Sequence, residues 1–345
     1  MERLKSLLYS PATSVLIGLG AGVAYGLTTR AAFGLQELSA VFGTLSAGFL
    51  CLTPFALGAL TVFFAPAHYR RSWFYAGFMP WLSCALFVTL AAIFTWEAWI
   101  CLVMAAPILA VMSSVGGVTM TVLFHVFDQS DERGPGIDER GPGIPMPCVN
   151  LLLALLFSPY LVTPLERRFP PPDSLHTVHS TLVVNASAET VWRNIIRVPP
   201  FAPAEMRESF FHRAGLPRPL EATLECEGVG CTRRGHWEYG LAFDGLITEW
   251  QPNVGFTVQL TADTRSIHDA RLPLHDIDGP HFGMVDDRYF IEPLGDGRVR
   301  LHLYSTYRLA TSFNAYGSLW TDFLMRDIQG DILRSIRDRC EASAS

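Results

Sequence analysis

Charge is almost missing from the first third of this chain. Between Thr13 and Phe127 the ionised side chains are Arg30, Glu37, Arg70, Arg71 and Glu97, whereas from Glu166 onward charges recur every few residues. Ordinary soluble domains carry about a quarter of their residues charged, so the early part of the chain must find another solvent. A helix crossing a bilayer needs about 20 mostly apolar residues, because backbone groups in lipid are satisfied only within the segment. Thr13 to about Ala32, Ala40 to Ala65, Trp73 to Thr95 and Ala98 to Phe127 reach that length. A fifth stretch, Cys148 to Thr163, is short and contains Pro159. The expectation is a membrane all-α bundle of about five transmembrane helices over residues 1–165, a Pro-rich linker over 166–175, and a soluble domain over 176–345.

Basic residues mark the side of a membrane that is not translocated. Arg3 and Lys5 lead the first span, Arg70 and Arg71 follow the second, and Arg133 and Arg140 follow the fourth. If every span crosses, the N-terminus is cytoplasmic and the C-terminal domain lies outside the cytoplasm; Arg167 and Arg168 argue the other way. Ionisable residues inside spans would mark a conducting path. The spans have none apart from Arg30 and His125 near their ends, which speaks against transport. Gly18, Gly22 and Gly26 form a small-residue ridge that allows close helix approach. It serves either packing within the chain, the reading the general use of small residues favours, or a homo-oligomer.

Between the fourth and fifth stretches, Asp131 to Ile137 is repeated at once by Asp138 to Ile144, and its Gly-Pro-Gly triplets dictate a solvated loop. The run from Pro170 to Pro172 is a stiff extended spacer. The seven cysteines have no zinc-like or redox-like spacing and imply neither a disulfide framework nor a metal site. A formal charge of −6 with no basic stripe sets nucleic acid aside as a partner.

The soluble half opens with alternating apolar residues from His176 to Asn185, a strand, followed by Ser187 as the N-cap of a short helix whose apolar face is Val191, Trp192, Ile195 and Ile196. Strand-like runs follow at Ala222–Glu227, Thr232–Tyr239, Leu241–Trp250, Gly255–Thr261, Met284–Pro293 and Arg298–Leu309, separated by turn residues as in an antiparallel meander. A long amphipathic helix from about Tyr316 to Cys340 ends the chain, with Trp320, Phe323, Leu324, Ile328, Ile332 and Ile336 as its stripe.

Three stretches carry a family resemblance: Val183 to Trp192 with its Ala188-Glu189-Thr190-Val191-Trp192 helix, the glycine-led strand from Gly228 to Arg233, and Ile247-Thr248-Glu249-Trp250. From about Leu175 onward the chain resembles the START-like, helix-grip superfamily, also called SRPBCC or polyketide cyclase/dehydrase-like. The resemblance implies an α+β helix-grip domain, a curved antiparallel sheet around a long C-terminal helix. It also implies a cavity between sheet and helix, where relatives hold lipids, sterols, polyketides or aromatic compounds. Such cavities are mainly apolar with a few placed polar groups.

Within that frame Trp320, Phe323 and Leu324 are expected to roof the cavity. Strand parity points Ser305 and Tyr307 inward with Val299, Leu301 and Leu303. Tyr307 is a pocket candidate whose competing reading is a core tyrosine with a satisfied hydroxyl. Trp237 and Tyr239 share a face with Arg233, against Arg234, His236 and Glu238 on the other; parity alone leaves open which face is inner. The segment from Asp263 to Asp287 gathers His268, Asp269, His275, Asp276, Asp278, His281, Asp286 and Asp287, which raises metal binding or acid–base chemistry against the plainer reading of a polar lid. Asp327 is placed to pair with a strand arginine such as Arg288, and a solvated helix face accounts for Asp322 and Asp331. The leading functional reading is a membrane-tethered module binding a lipid or other apolar small molecule from the adjacent bilayer, with no cofactor implied. The alternatives are an enzyme of the cyclase, aromatase or isomerase type using Tyr307 and the histidines, or a structural or regulatory protein whose pocket is collapsed.

Overall fold

A computed structural model describes residues 11–35, 45–94, 99–128, 144–201, 205, 209–213, 215–265, 267 and 277–344. The tandem repeat before Ile144, and His268, Asp269, His275 and Asp276, lie outside the described residues. The chain forms two compact units, Met1–Pro170 and Pro171–Ser345.

The first unit is helical: α1 (Pro11–Phe33), α2 (a π-helical turn Gly48–Leu52 continued by Thr53–Phe63), α3 (Trp73–Ile93), α4 (Trp99–Asp128) and α5 (Met146–Glu166). Among the described residues four helices are long and apolar enough to cross a membrane, in α1, α3, α4 and α5; α2 is shorter. Two sequence expectations therefore exchange places. The stretch around Pro159 is a full-length helix, because Pro147 falls in its first turn and prolines inside an apolar bundle are tolerated where neighbours re-satisfy the backbone. The stretch expected from Ala40 to Ala65 has its described helix confined to Gly48–Phe63.

Small residues hold this unit together by letting backbones touch. A Cβ on Gly58 would meet the backbone of Ser113, and one on Gly116 the backbone of Phe55, so α2 and α4 cross at backbone contact. Gly18 and Gly22 face Leu57 and Thr61 of α2, and Gly26 faces Phe87 of α3, so the glycine ridge packs within the chain. The Glu166 carboxylate accepts from the backbone N–H groups of Ala47 (2.9 Å) and Gly48 (3.3 Å), a cap on donors that the start of α2 would otherwise leave unpaired.

The second unit is a sheet wrapped on a helix. Its elements are β1 (Ser174–Val184), α6 (Ala188–Ile196), a short α7 (Phe210–Arg213), β2 (Pro219–Leu224), β3 (Thr232–Trp237), β4 (Ala242–Gln251), β5 (Gly255–Asp263), β6 (Phe282–Gly295), β7 (Arg298–Leu309) and α8 (Asn314–Ala344). The seven-stranded sheet of the described residues has the order β1-β7-β6-β5-β4-β3-β2, every neighbour antiparallel. Consecutive strands from β2 to β7 are neighbours in the sheet, and β1 lies at the edge beside β7. Ser187 caps α6 by accepting from the Thr190 N–H at 3.2 Å. One end of the core joins Val191, Trp192, Ile195 and Ile196 of α6 to Leu333 and Ile336 of α8 across the sheet.

A disulfide, Cys226–Cys231, closes the β2–β3 turn, where Gly228 and Gly230 adopt positive φ. The cysteine spacing implied no bridge. The two left-handed glycines between the thiols make the chain reverse tightly enough to bring their Cα atoms to 5.4 Å.

Candidate functional site

Between the concave face of the sheet and α8 lies a cavity of about 180 Å³. Its helix wall is Leu324, Met325, Ile328, Gln329, Ile332 and Ile336, residues three and four apart on one face. The sheet wall includes Trp237, Phe243, Leu260, Met284, Tyr289 and Leu303. The segment between α6 and β2 adds Phe201, Leu216 and Pro217. The cavity is open rather than filled by bulky side chains, unlike the collapsed pocket of the third sequence reading.

Five charged or polar side chains break this apolar lining: Glu221 on β2, and Arg233, Asp287, Ser305 and Gln329. Arg233 lies on β3 with Gly235 and Trp237, which makes that face of the strand the inner one. Its guanidinium donates to the carbonyls of Ile195 (3.1 Å) and Ile196 (3.3 Å) at the end of α6, a favourable place for a cation, and lies over the rings of Phe256 and Tyr289. Asp287 stands directly across from Ser305 in the β6–β7 ladder. It faces the cavity because of a bulge. The register shifts between Met284 and Asp286, so inward parity passes from Met284 to Asp287 and Tyr289.

A hydrogen-bonded chain leads to Ser305. Ser180 donates to Gln329 Oε1 at 2.7 Å, and Gln329 Nε2 donates to the Ser305 hydroxyl at 2.9 Å and the Val178 carbonyl at 3.2 Å. Ser305 faces Asp287 across the strand pair and favours its charged form. Asp287 Oδ1 is shielded from solvent and has no hydrogen-bond partner among the described residues. Burial pushes this carboxyl up from 3.8 to about 6, against Ser305 and the charge of Arg233, with Asp286 adding to the rise. Burial also pushes the Tyr289 phenol up to about 12. The cavity wall thus presents, in Asp287, a carboxyl raised to about 6 and able to accept or donate a proton.

Of the residues expected to bind ligand, Trp237, Ser305 and Leu324 line this cavity together, and Asp287, expected as part of a metal or acid–base cluster, joins them. Tyr307, Trp320 and Phe323 are not among its lining residues. Tyr307 does point inward as parity requires, but beyond the cavity: it is fully buried with Val178, Leu309 and Met325 and donates to Asp322 Oδ1 at 2.7 Å. Phe323 turns outward onto Phe210 and Phe211 of α7, an element the sequence did not announce. Asp327 caps that element, accepting from the Phe211 N–H at 3.1 Å, instead of pairing with Arg288. Asp331 is buried rather than solvated, with its Oδ2 3.1 Å from His212 Nδ1 and Arg334 hydrogen-bonded to Oδ1. Burial pushes the His212 imidazole down, opposed by Asp331 and Asp327.

In the segment from Asp263 to Asp287, Asp278 accepts from the Ala262 N–H and His281 contacts the Ala310 carbonyl. Asp286 and Asp287 belong to β6. Among the described residues no group of three or more histidine, cysteine or carboxylate side chains is arranged to hold a metal ion. Gln329 was missed in the sequence, although a polar residue at a position of the helix that continues the apolar stripe of Met325, Ile332 and Ile336 was a signal available to periodicity.

A curled antiparallel sheet gripping one long C-terminal helix around a cavity decides the architecture. The C-terminal half has a helix-grip fold. No family model matches the chain, and no curated protein matches it. Among solved structures this half is similar to norcoclaurine synthase from Thalictrum flavum, at 13% identity, covering 50% of this chain and 99% of that one with a TM-score of 0.31. A START superfamily protein from Mycobacterium smegmatis is similar at 15% identity, with 48% and 98% coverage and a TM-score of 0.33. An aromatase/cyclase from a Streptomyces species is similar at 14% identity, with 50% and 97% coverage and a TM-score of 0.33.

Proposed function

We propose that the START-like domain binds a lipid or other apolar small molecule carrying one hydrogen-bonding group, and that the helical unit anchors it in a membrane. The observation that carries this reading is the unpartnered Asp287 Oδ1 in the wall of a mainly apolar cavity. A buried polar atom without a partner costs roughly 1–3 kcal/mol, and a ligand hydroxyl or amine placed there would recover it. Apolar walls supply affinity and the single polar group sets orientation. Tethering raises the concentration of the domain at the membrane, so modest affinity for a membrane-borne molecule suffices.

This reading puts the domain outside the cytoplasm, opposite the N-terminus, and therefore counts the shorter α2 as a fifth crossing beside the four longer helices. The support is the placement of basic residues between spans together with the Cys226–Cys231 bridge, since structural disulfides persist in oxidising compartments.

The test uses the full chain, purified in nanodiscs from its host and examined by native mass spectrometry with lipid extraction. Gly235 lines the cavity, and a Cβ there would meet only Trp237 Nε1, at an ordinary contact distance of 3.7 Å, so Gly235→Leu fills the cavity without backbone strain. A stoichiometric cargo in the parent protein that falls at least about tenfold in Gly235→Leu fits the proposal, since lost apolar contacts and overpacking both oppose it. Equal lipid content in both proteins would sink it.

A second reading rests on the same carboxyl. An acid–base group with its pKa near neutrality inside a cavity is suited to moving a proton on a bound substrate. In that case Asp287→Asn keeps cargo bound but abolishes its conversion, and turnover in the parent protein titrates with an apparent pKa of about 6.

A further inference from the structure

We infer that Leu319, Phe323 and Phe210 form a membrane-docking face that seats the START-like domain on the bilayer holding the helical unit, a reading that rests on the membrane anchoring proposed above. These three apolar side chains are 70%, 49% and 52% exposed. They are contiguous: Leu319 and Phe323 are one turn apart on α8, and the rings of Phe323 and Phe210 lie 6.3 Å apart. Arg326 and Arg213, each three residues beyond one of the aromatics, are exposed and suit the headgroup layer.

Position argues for a lipid surface. Ser174 at the start of β1 pairs with Leu309 at the end of β7, and α8 begins five residues after Leu309. Asn314 Nδ2 donates to the Pro172 carbonyl at 3.1 Å, and Arg308 pairs with Asp173 at 3.1 Å. The first turns of α8 therefore stand at the end of the domain where the chain arrives from α5. Phe323 is about 14 Å along the helix axis from Asn314. Residues 167–173 separate the end of α5 from β1 and span about 25 Å at most. A linker of that length limits how far this end of the domain can stand from the end of α5.

Size argues against a second protein. Three half-exposed side chains bury on the order of 300 Å², well under the roughly 800 Å² per partner of a stable protein interface. A tethered domain needs no more than such a weak, additive contact. On the same turn of α8 Leu324 lines the cavity, so the docking face and the ligand site share one helical element.

The experiment labels Leu319→Cys with an environment-sensitive fluorophore in the full chain, with the partly and fully exposed thiols Cys51 and Cys101 changed to Ser. The protein is reconstituted in vesicles of phosphatidylcholine and phosphatidylglycerol with brominated or unbrominated acyl chains. The comparison site is Asp296→Cys, in the β6–β7 turn at the opposite end of the sheet. Bromine should quench the probe at 319 by about twofold and the probe at 296 by less than about 10%, the difference between burial at the acyl boundary and exposure to water. Equal, negligible quenching at both sites in a chain that stays with the vesicles through alkaline extraction overturns the docking face and leaves the anchor intact. A chain released by that extraction overturns the anchoring itself. Self-quenching that rises with protein density but ignores bromine assigns the face to a second copy and overturns the proposal.

Discussion

Asp287 illustrates a residue kept against stability. Its carboxyl is raised from 3.8 to about 6, so the folded state holds a proton that the unfolded chain has already released between those values. Stability contributed by this group is therefore greatest below about pH 4 and falls as pH rises toward 6. Ionising this group costs roughly 3 kcal/mol of folding stability between pH below 4 and pH 8. Asp287→Asn should raise the thermal midpoint of the full chain at pH 8, change it little at pH 4, and weaken cargo binding; a lower midpoint at pH 8 would contradict this account. At the same scale the sequence separated some residues well and others poorly. Ser305 was legible because strand parity is a local property, whereas for Trp237 parity gave its companions on β3 but not which face is inner. Asp322, Asp327 and Asp331 were not legible: whether a helix carboxylate is solvated depends on Tyr307 and on Phe211 and His212 of α7, which only the folded chain brings to it.

Strands and helices were readable where turn residues and periodicity agree. β7 occupies the expected Arg298–Leu309, and β1, β3, β4 and β5 differ from expectation by a few residues at their ends. The bulge in β6 was not readable, because one extra residue in a ladder is defined by its partner strand rather than by its own sequence. That bulge decides that Asp287, and not Asp286, meets the cavity. In the helical unit the decisive elements are the α2–α4 glycines. Gly116→Ala or Gly58→Ala should cost about 1–3 kcal/mol, because backbone rather than a flexible side chain occupies the added space. Gly20→Ala and Gly77→Ala, with nothing near the new methyl group, should be neutral or slightly stabilising. Unfolding of the four variants in mixed micelles measures the contrast, and equal effects in all four would refute close packing at this crossing.

At the scale of the whole molecule, a charge-poor unit and a charge-rich unit are joined in one chain, and the bridge in the second reports on the compartment. Closing the short Cys226–Cys231 loop is worth roughly 2 kcal/mol in the chain-entropy description. In intact cells these two thiols should resist maleimide until a reductant is added, while Cys226→Ser makes its partner reactive. Thiols that react at once in intact, unreduced cells would place the domain in a reducing compartment and overturn the proposed sidedness.

What the sequence determined alone was the division of the chain and the class of each part. Long apolar runs can be stable only in a bilayer-like environment, and alternating strands followed by one amphipathic helix have few ways to bury their apolar faces. The tertiary structure decided which polar groups meet in the cavity, because Arg233, Asp287, Ser305 and Gln329 come from β3, β6, β7 and α8 and converge only through strand register and sheet curvature. It also decided that Tyr307 is a satisfied core residue and that Phe323 faces outward. Parity and periodicity fix the side of an element on which a residue lies, but the neighbour that covers that side is supplied by a distant part of the chain.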